Sequence, residues 1–282
     1  MKDWTGKRVL ILGAARQGQA LARWLARHGA RVILNDKRSP EQMQAACAAL
    51  SDVDIEWVLG SHPVELLDRI DVLCLSGGIP LTIPIVMEAE KRGIPFSNDT
   101  QIFLEAAPCR TIGITGSAGK TTTTSLVGKM AQESLAGKAE KAYTGGNIGD
   151  PLINYVDGMK PGDLAVLEIS SFQLEQMNVS TDVAAILNIT PNHLDRHVTM
   201  EAYTAAKARL LDFQSADGIA VLGRDDPGSW NLRSRVRGKL LTFSLSPLKE
   251  GLDGAYLDNG LLAFRDGNAY TPGVDSIVED VV

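Results

Sequence analysis

Short apolar runs alternate with stretches of helical periodicity over the first hundred residues. Between the first two runs, Leu21, Trp24 and Leu25 recur at helical spacing, and His28-Gly29 follows as a helix stop signal. Strands that alternate with helices in this way are typical of a parallel sheet covered by helices. The four predicted strands of this Rossmann-like α/β unit are residues 8–12, 31–35, 71–75 and 95–97.

A second α/β series begins at residue 111, just after Pro108, so we predict a domain boundary near Cys109. Near the end, apolar runs at 255–257 and 261–264 flank a hairpin signal, and a further turn is indicated at 266–268. We therefore predict a Rossmann-like domain over 1–108 and a second α/β domain with a small β extension over 109–282. The strands predicted for the second domain are 111–115, 163–169, 182–188 and 218–222, and its helices are 120–134, 171–177 and 200–213.

The composition excludes several classes of protein. The chain has 282 residues, of which 44% are hydrophobic and 22% are charged, and this is typical of a globular protein with two cores. Its net charge of −6 argues against nucleic acid as a partner, since phosphate backbones are bound by concentrated basic surfaces. Any anionic ligand must then be bound by a local feature of the fold.

The sequence contains no signal for export or membrane insertion. Its N-terminal apolar run, at 9–13, is too short for a signal peptide or a membrane span. Cys47, Cys74 and Cys109 are widely separated, odd in number and without metal-ligand spacing, so we interpret them as free thiols in a reducing compartment. We therefore expect a cytoplasmic protein with no membrane partner.

A candidate phosphate-binding loop opens the second domain. The segment Gly116-Ser117-Ala118-Gly119-Lys120-Thr121 follows a predicted strand and leads into a predicted helix that continues with Thr122. Glycines allow amide N–H groups to point inward, and the helix N-terminus adds positive potential. Lys120 can reach terminal phosphates, and the Thr121 hydroxyl can ligate magnesium. We predict that residues 116–122 bind ATP, which makes this a P-loop-type ATPase domain.

The loop is shorter than the full Walker pattern, because Ile114 occupies the position of its first glycine. The alternative interpretation is a glycine-rich turn in which Lys120 is merely solvated. That alternative explains the two glycines. It does not explain a Lys-Thr pair placed directly on the helix N-terminus.

Three downstream residues could complete such a site. Glu168 ends an apolar strand at the sheet edge that faces ligands, and it could share a magnesium ion with Thr121. His193 follows the next predicted strand, and Lys207 lies on a predicted helix. Each has an ordinary alternative, namely a solvated acid, a hydrogen-bonded loop histidine and a surface lysine. Only their combination favours a site.

Together with the phosphate loop, these residues resemble the Mur ligase family. The string Leu167-Glu168-Ile169-Ser170-Ser171-Phe172-Gln173-Leu174-Glu175 is similar to the signature of the branch that adds D-glutamate. Three further segments occur in the order expected of that branch, and the similarity extends over residues 7–222. They are Gly145-Gly146-Asn147-Ile148-Gly149, Asn192-His193-Leu194-Asp195-Arg196 and residues 203–209.

The resemblance implies an ATP-dependent, amide-bond-forming ligase of peptidoglycan precursor synthesis, which serves cell shape and division. ATP would phosphorylate the L-alanyl carboxylate of UDP-N-acetylmuramoyl-L-alanine, and the amine of D-glutamate would displace phosphate from the acyl phosphate. Such a reaction depends on positioning and charge neutralisation rather than on a covalent protein intermediate. The resemblance also implies a cytoplasmic monomer.

The same resemblance implies individual roles for the site residues. Lys120 would steady the β and γ phosphates, while Thr121 and Glu168 would hold one magnesium ion. His193 would bind a second magnesium ion, and Lys207 would be carbamylated to an anion that supports that metal. The implied catalytic residues are Lys120, Glu168, His193 and Lys207, and the implied metal ligands are Thr121, Glu168, His193 and Lys207.

The first domain carries a second candidate nucleotide-binding turn. The segment Gly13-Ala14-Ala15-Arg16-Gln17-Gly18 follows the first strand, and Asp36 ends the second. This resembles a dinucleotide fingerprint, so an NAD-linked oxidoreductase is an alternative function. Ala15 weakens that alternative, because it replaces the central glycine and its methyl group obstructs a diphosphate. A purely structural Rossmann turn is a further alternative.

In the ligase interpretation, this turn and its neighbours bind the UDP part of the substrate. The implied residues are Ala15, Arg16 and Gln17 at the helix start, Asp36, Lys37 and Arg38 after the second strand, Ser76 and Gly77 in the segment 76–80, and Asn147 near the sugar or diphosphate.

Some features depart from the family pattern. The D-glutamate-adding branch has a third domain that holds D-glutamate and helps to grip adenine, and no such sequence follows here, so we expect this chain to bind the UDP-sugar without completing ligation. Ala118 stands where asparagine is common, Asn192 where aspartate is usual, and Gly77 in place of a proline. Two further alternatives stay open, a ligase of the family with another acceptor and a non-catalytic nucleotide-binding module.

Overall fold

Two sheets, each flanked by helices, form the frame of the molecule. The computed structural model describes residues 2–267 and 269–271, and of 269–271 only the backbone. The strands of the first sheet are β1 (Arg8–Leu12), β2 (Arg31–Asp36), β3 (Ile55–Leu59), β4 (Val72–Leu75) and β5 (Phe96–Ser97). They are all parallel, in the order β3-β2-β1-β4-β5. The helices here are α1 (Arg16–Arg27), α2 (Pro40–Ala49), α3 (Pro84–Lys91) and α4 (Asp99–Ala106), with a 3₁₀ helix at Val64–Arg69.

The second sheet is larger and ends in an antiparallel extension. Its strands are β6 (Arg110–Thr115), β7 (Ala142–Gly146), β8 (Leu164–Glu168), β9 (Val183–Ile186), β10 (Ile219–Gly223), β11 (Lys239–Ser244), β12 (Gly254–Asp258), β13 (Leu261–Asp266) and β14 (Ala269–Thr271). The order is β14-β13-β12-β11-β10-β9-β6-β8-β7, and only the β12-β13 and β13-β14 pairs are antiparallel. The helices are α5 (Lys120–Ser134), α6 (Ser171–Leu174), α7 (Leu194–His197), α8 (Met200–Asp212) and α9 (Pro227–Trp230), with 3₁₀ helices at Leu152–Asn154, Val156–Gly158 and Asn231–Arg235.

The central strand of the first sheet is an unbroken apolar run because both of its faces are covered. Val9 and Ile11 belong to the apolar cluster that contains the buried face of α1, whereas Leu10 and Leu12 pack in the cluster that contains α3. Successive side chains of a strand point to opposite faces, so a strand between two helical layers has no polar side. The apolar pattern therefore encodes burial on both faces.

One apolar cluster extends across both sheets. Leu21 of α1, Phe103 of α4 and Leu167 of β8 belong to a single apolar cluster. Helix α4 lies between the two sheets in sequence, and its N-terminus is capped by Asn98, whose side chain accepts a hydrogen bond from the Gln101 amide at 2.8 Å. The connection between the sheets is therefore a packed helix.

A buried polar network also links α4 to α6. The Asn98 amide donates to the carbonyl oxygen of Gln173 at 2.9 Å, and the Gln173 amide donates to the Thr100 hydroxyl at 2.7 Å. Asp99 is buried beside this network, and burial raises the pKa of its carboxyl to about 6. Buried polar groups need partners, so these contacts specify one arrangement of α6 against α4.

The predicted α/β class, with a Rossmann-like first sheet, a second sheet and a β extension, is confirmed. β12 and β13 form the predicted hairpin, and Asn259 (φ 51°) and Gly260 (φ 82°) both have the positive φ that a tight two-residue turn requires. The predicted helix at 171–177 was too long, because α6 ends at Leu174 and the chain then turns. Asn268 of the predicted turn and residues 272–282 of the predicted second domain lie outside the described residues.

The strand order brings several loops to two sheet edges. In the first sheet, Leu12 lies between Asn35 and Leu75, so the segments after β1, β2 and β4 meet at one carboxyl edge. In the second sheet, β6 lies between β8 and β9, so the segments after these three strands meet likewise. Carboxyl edges of parallel sheets are where α/β proteins bind ligands. Among the described residues, no helix is both long enough and apolar enough to cross a membrane.

The buried carboxyl of Asp99 predicts a pH-dependent stability. Its pKa is raised to about 6 in the folded state, so the folded protein binds more protons than the unfolded one between about pH 4 and 6, and stability falls as pH rises through that window. We expect Asp99→Asn to raise the free energy of unfolding by on the order of 2 kcal/mol at pH 7 and to leave it nearly unchanged at pH 4. Urea unfolding at both pH values measures this.

The exposed Asp217 supplies a matched control, and Asp217→Asn is expected to show no such pH-dependent difference. A difference between wild type and Asp99→Asn that stays constant from pH 4 to pH 7 would contradict the assignment.

Candidate functional site

The predicted phosphate loop connects β6 to α5. Gly119 precedes α5 with φ 79°, a left-handed conformation that glycine adopts without strain. The amide groups of Ser117 and Ala118 donate to the Asn188 side-chain oxygen at 3.0 and 2.9 Å. The next four amides, at 119–122, make no hydrogen bond within the described residues. Unpaired amides at a helix N-terminus form an anion-binding site.

Two lysines meet at this loop. Lys120 Nζ donates to the carbonyl oxygens of Gly116 and Ser117 at 3.0 and 3.3 Å. Lys207 Nζ donates to the same Gly116 carbonyl at 2.9 Å, with Thr115 Oγ1 at 3.4 Å. Lys207 is only 1% exposed, which sets it apart from an ordinary surface lysine. Burial, and next the charge of Lys120, lowers the pKa of Lys207 to about 7.

Glu168, Thr121 and Asn147 form a hydrogen-bonded cluster beside the loop. The Thr121 hydroxyl donates to Glu168 Oε2 at 2.7 Å, and the Asn147 amide donates to Glu168 Oε1 at 2.9 Å. Glu168 is 2% exposed, so these two partners compensate much of the cost of burying its carboxylate. Oxygen donors of this kind are the ligands that magnesium prefers, together with phosphate and water oxygens. The cluster therefore fits the predicted first magnesium site.

His193 and Lys207 are both near Tyr203. The His193 ring centroid is 6.5 Å from that of Tyr203, and Lys207 Nζ lies 4.6 Å from the Tyr203 ring centroid. Tyr203 is buried, and its hydroxyl lies 3.1 Å from Ser117 Oγ in the phosphate loop. The described residues contain no group of three or more histidine, cysteine or acidic side chains arranged to hold a metal. The second metal site stays a prediction.

A cavity of about 360 Å³ opens at the carboxyl edge of the first sheet. It is lined by seven of the predicted UDP-substrate residues, Ala15, Gln17, Asp36, Lys37, Arg38, Ser76 and Gly77. Arg16 instead lies on an outer surface of α1 with Arg23 and Arg27. Asn147 bonds Glu168 as described, but the cavity adjoins it, because Gln17 donates to the carbonyl oxygen of Gly146 at 3.3 Å. We call this space the first-sheet cavity.

Asp36 in this cavity is fully engaged by protein donors. Its Oδ2 accepts from the Ala14 amide at 2.8 Å and from the Arg38 guanidinium at 2.7 Å. Its Oδ1 accepts from the Arg38 amide at 3.0 Å and from Arg38 Nε at 2.9 Å. The hydrogen bonds from Arg38 hold the pKa of Asp36 well below its ordinary value. A carboxylate has about four acceptor positions, so none is left for the two ribose hydroxyls of NAD.

Two family profiles match this chain, one over the first sheet and one over most of the second. The profile described as the Mur ligase middle domain matches residues 114–259, and the profile described as the N-terminal domain of MurD-like Mur ligases matches residues 7–97. The chain belongs to the Mur ligase family. The predicted family is thereby confirmed.

Several curated relatives of this Mur ligase chain share a name. A UDP-N-acetylmuramoylalanine–D-glutamate ligase from Pelotomaculum thermopropionicum is 37% identical over 263 residues, which cover 93% of this chain and 56% of the relative. The protein of that name from Koribacter versatilis is 38% identical over 265 residues, which cover 94% and 57%. The chain thus spans a little over half the length of these relatives.

Solved structures agree on the fold. A UDP-N-acetylmuramate:L-alanyl-gamma-D-glutamyl-meso-diaminopimelate ligase from Neisseria meningitides matches with a TM-score of 0.57 at 18% identity, covering 92% of this chain and 83% of that one. A murein peptide ligase from Psychrobacter arcticus matches with a TM-score of 0.53 at 15% identity, covering 96% and 62%. At these identities the likeness shows a shared fold.

Three residues of the site were missed by sequence reasoning. Asn188 binds the loop amides, Tyr203 contacts Ser117 and Lys207, and His62 lines the first-sheet cavity. The His62 Nδ1–H group donates to the Asn35 side-chain oxygen 2.5 Å away, and burial lowers the pKa of His62. Asn188 was assigned to the predicted strand 182–188, and His62 follows β3, which was not predicted, so neither residue carried a sequence signal for a site.

The absence of a side chain at Gly146 allows the chain to pass close to Glu168. Substitution of Gly146 tests whether this close approach is required. Its φ is 98°, and a Cβ at this position would collide with the carbonyl oxygen of Glu168. We expect Gly146→Ala to lower the free energy of unfolding by about 3 kcal/mol or more. Urea unfolding measures this loss.

The control lies three residues along the same segment. Gly149 also has a positive φ, of 62°, but its Cβ would meet nothing closer than 3.9 Å. Gly149→Ala should therefore cost only about 1 kcal/mol. Equal losses in the two variants would show that backbone strain, rather than contact with Glu168, limits position 146.

Proposed function

We propose that this chain forms the UDP-substrate and ATP-binding parts of a cytoplasmic, monomeric ligase that joins D-glutamate to UDP-N-acetylmuramoyl-L-alanine. The observation that carries the proposal is the contact between Thr121 and Glu168 at the N-terminus of α5, where four amides make no hydrogen bond to any residue that the structure describes. The names of the relatives, which match over more than nine-tenths of this chain, support the choice of substrates.

The reaction needs two displacements, the first at the γ-phosphorus of ATP and the second at the acyl carbon of the L-alanyl residue. A carboxylate oxygen of the L-alanyl residue attacks the γ-phosphorus of ATP, the bond from that phosphorus to the bridging oxygen breaks, and ADP leaves. The amine of D-glutamate then attacks the acyl carbon, phosphate leaves with the bonding electron pair, and the amine loses a proton. Both displacements build charge on phosphate oxygens, so neighbouring cations and amides accelerate them.

The phosphate loop would stabilise the negative charge on the phosphate oxygens. The amides at 119–122, which have no hydrogen-bond partner in the described part of the chain, would donate to phosphate oxygens, and Lys120 would exchange its two carbonyl contacts for the terminal phosphates. Asn188 keeps the preceding loop amides in place through its side-chain oxygen. We propose that Gly116, Ser117, Ala118, Gly119, Lys120, Thr121 and Thr122 form the ATP-binding segment.

Magnesium, when bound, would neutralise phosphate charge. Thr121 and Glu168 would hold one ion, because their oxygens are 2.7 Å apart and already aligned. His193 would serve a second ion. Lys207 suits carbamylation, because its pKa of about 7 leaves much of the amine neutral and able to attack the carbon of CO₂ with loss of a proton. The resulting anion would lie near the Lys120 ammonium group.

The first-sheet cavity would bind the UDP group. Its mixed wall of polar side chains and backbone suits a uracil, a ribose and a diphosphate, and the Gln17 contact with Gly146 leads from it toward Asn147 and Glu168. A substrate anchored there by UDP would place its far carboxylate near the phosphate loop. An NAD-linked oxidoreductase is disfavoured, because Asp36 has no acceptor position free for a ribose.

A calorimetric titration tests the assignment of the first-sheet cavity. We expect the 282-residue chain to bind UDP-N-acetylmuramoyl-L-alanine with a dissociation constant in the micromolar range, UDP more weakly, and NAD not measurably. Binding of NAD that UDP does not displace would favour the oxidoreductase. Failure of every UDP compound to bind would overturn the proposal.

The magnesium dependence of nucleotide binding tests the proposed role of Glu168 as a metal ligand. We expect Glu168→Gln to weaken binding of a non-hydrolysable ATP analogue about tenfold in the presence of magnesium and hardly at all in its absence, because the variant loses an anionic metal ligand. The exposed Glu133 on α5 provides the control variant Glu133→Gln. A Glu168→Gln protein with wild-type magnesium dependence would remove Glu168 from the metal site.

A further inference from the structure

One arginine side chain joins the two sheets at their carboxyl edges. Arg196 lies on α7, in the second half of the chain, and its two terminal guanidinium nitrogens donate to carbonyl oxygens of the segment after β4. The distances are 3.1 Å to Gly77 and 2.5 Å to Ile79. A planar guanidinium reaches two carbonyls at once, which a single ammonium group does not do with the same geometry.

The guanidinium rests on an aromatic ring that also contacts the candidate metal ligand. Its central carbon lies 4.0 Å from the ring centroid of Phe172. The same ring has its centroid 5.0 Å from that of His193 and 5.3 Å from that of His197. Arg196 Nε is buried and has no partner among the described residues. The two carbonyls and the ring therefore hold this side chain in place.

One end of this contact is the wall of the first-sheet cavity. Residues 76–80 all line that cavity, and the Ser76 hydroxyl donates to the carbonyl oxygen of Gly13 at 2.9 Å on its opposite side. The carbonyls of Gly77 and Ile79 belong to this wall. A ligand that moves the wall therefore moves the acceptors of Arg196.

The other end is the short segment that carries His193. The amides of Arg196 and His197 donate to the carbonyl oxygen of His193 at 3.1 and 3.0 Å, which closes one helical turn. Both flanks are left-handed, at His193 (φ 53°) and at Val198 (φ 65°), an unfavourable conformation for a β-branched residue. A single strained turn has few contacts of its own, so its position depends on Arg196 and His197.

We propose that Arg196 is a positioning residue that couples occupancy of the first-sheet cavity to the His193 side of the nucleotide site. Binding of the UDP-sugar would fix residues 76–80, and the two Arg196 hydrogen bonds would fix α7 and with it His193. The coupling works in both directions, because thermodynamic linkage is reciprocal. The identity of the two ligands rests on the proposed function.

The experiment measures whether the two ligands help each other to bind. The dissociation constant of UDP-N-acetylmuramoyl-L-alanine is determined by calorimetry with and without a non-hydrolysable ATP analogue and magnesium. We expect the nucleotide to tighten binding about tenfold in the wild-type chain, within the usual range of coupling between sites. In Arg196→Lys the ratio of the two dissociation constants should fall to about two or less. Lysine keeps the positive charge but lacks the two terminal guanidinium nitrogens that donate to separate carbonyls.

Arg209 provides the matched control. It also donates to two carbonyl oxygens, those of Leu174 and Met177, and lies over the ring of Phe213, but all these partners are in the second half of the chain. Arg209→Lys should keep the tenfold coupling even if its stability falls. A role that is only structural would lower stability or both affinities alike, and it would leave the coupling factor unchanged.

Hydrogen exchange of the wild-type protein gives a second measurement that needs no variant. The UDP-sugar alone should slow exchange at the amides of 194–199, which lie outside the cavity lining. Unchanged exchange there, or Arg196→Lys with wild-type coupling, would overturn the inference while UDP-sugar binding itself persists. Loss of UDP-sugar binding in the wild type would instead overturn the proposed function.

Discussion

A buried carboxylate determines the arrangement of the candidate nucleotide site. Glu168 ends β8 with almost no exposure, so its charge is tolerable only with donors on both oxygens. Thr121 supplies one donor from the start of α5, and Asn147 supplies the other from the end of β7. Three elements are therefore held at fixed distances around one anion. Gly146, whose missing side chain lets β7 approach Glu168, serves the same requirement.

The segment that identifies the family also joins the parts of the molecule. Within Ser170–Glu175, Ser170 caps α6, and the Ser171 hydroxyl lies 2.9 Å from His197 Nε2. Phe172 lies beneath Arg196, and Gln173 reaches Thr100 in α4. Ser171 thus contacts α7, Gln173 contacts α4, and Leu174 lies in the apolar core. One short helix therefore contacts elements from both halves of the chain.

Sequence reasoning located the elements whose parts are adjacent in the chain. The loop at 116–121 joins β6 to α5 as predicted, and the chemistry expected of Lys120 and Thr121 rests on their spacing along the chain. Elements without a strong apolar pattern were missed, including β3, which is only half-buried, and β7, which ends in two glycines. Asn188 was missed as well, because its bonds to Ser117 and Ala118 join positions about seventy residues apart.

The sequence by itself determined the α/β class and the position of the loop before α5, because each depends on residues close together in the chain. It also determined the family, because several short segments match in order. Only the tertiary structure decided that Lys207 is buried against Gly116 rather than solvated, and that Asp36 is occupied by Arg38 rather than free for a ribose. It also decided that Arg196 reaches across to Gly77. The physical reason is that burial and pairing of a charge depend on neighbours that folding brings in from distant positions, and residue type alone does not specify them.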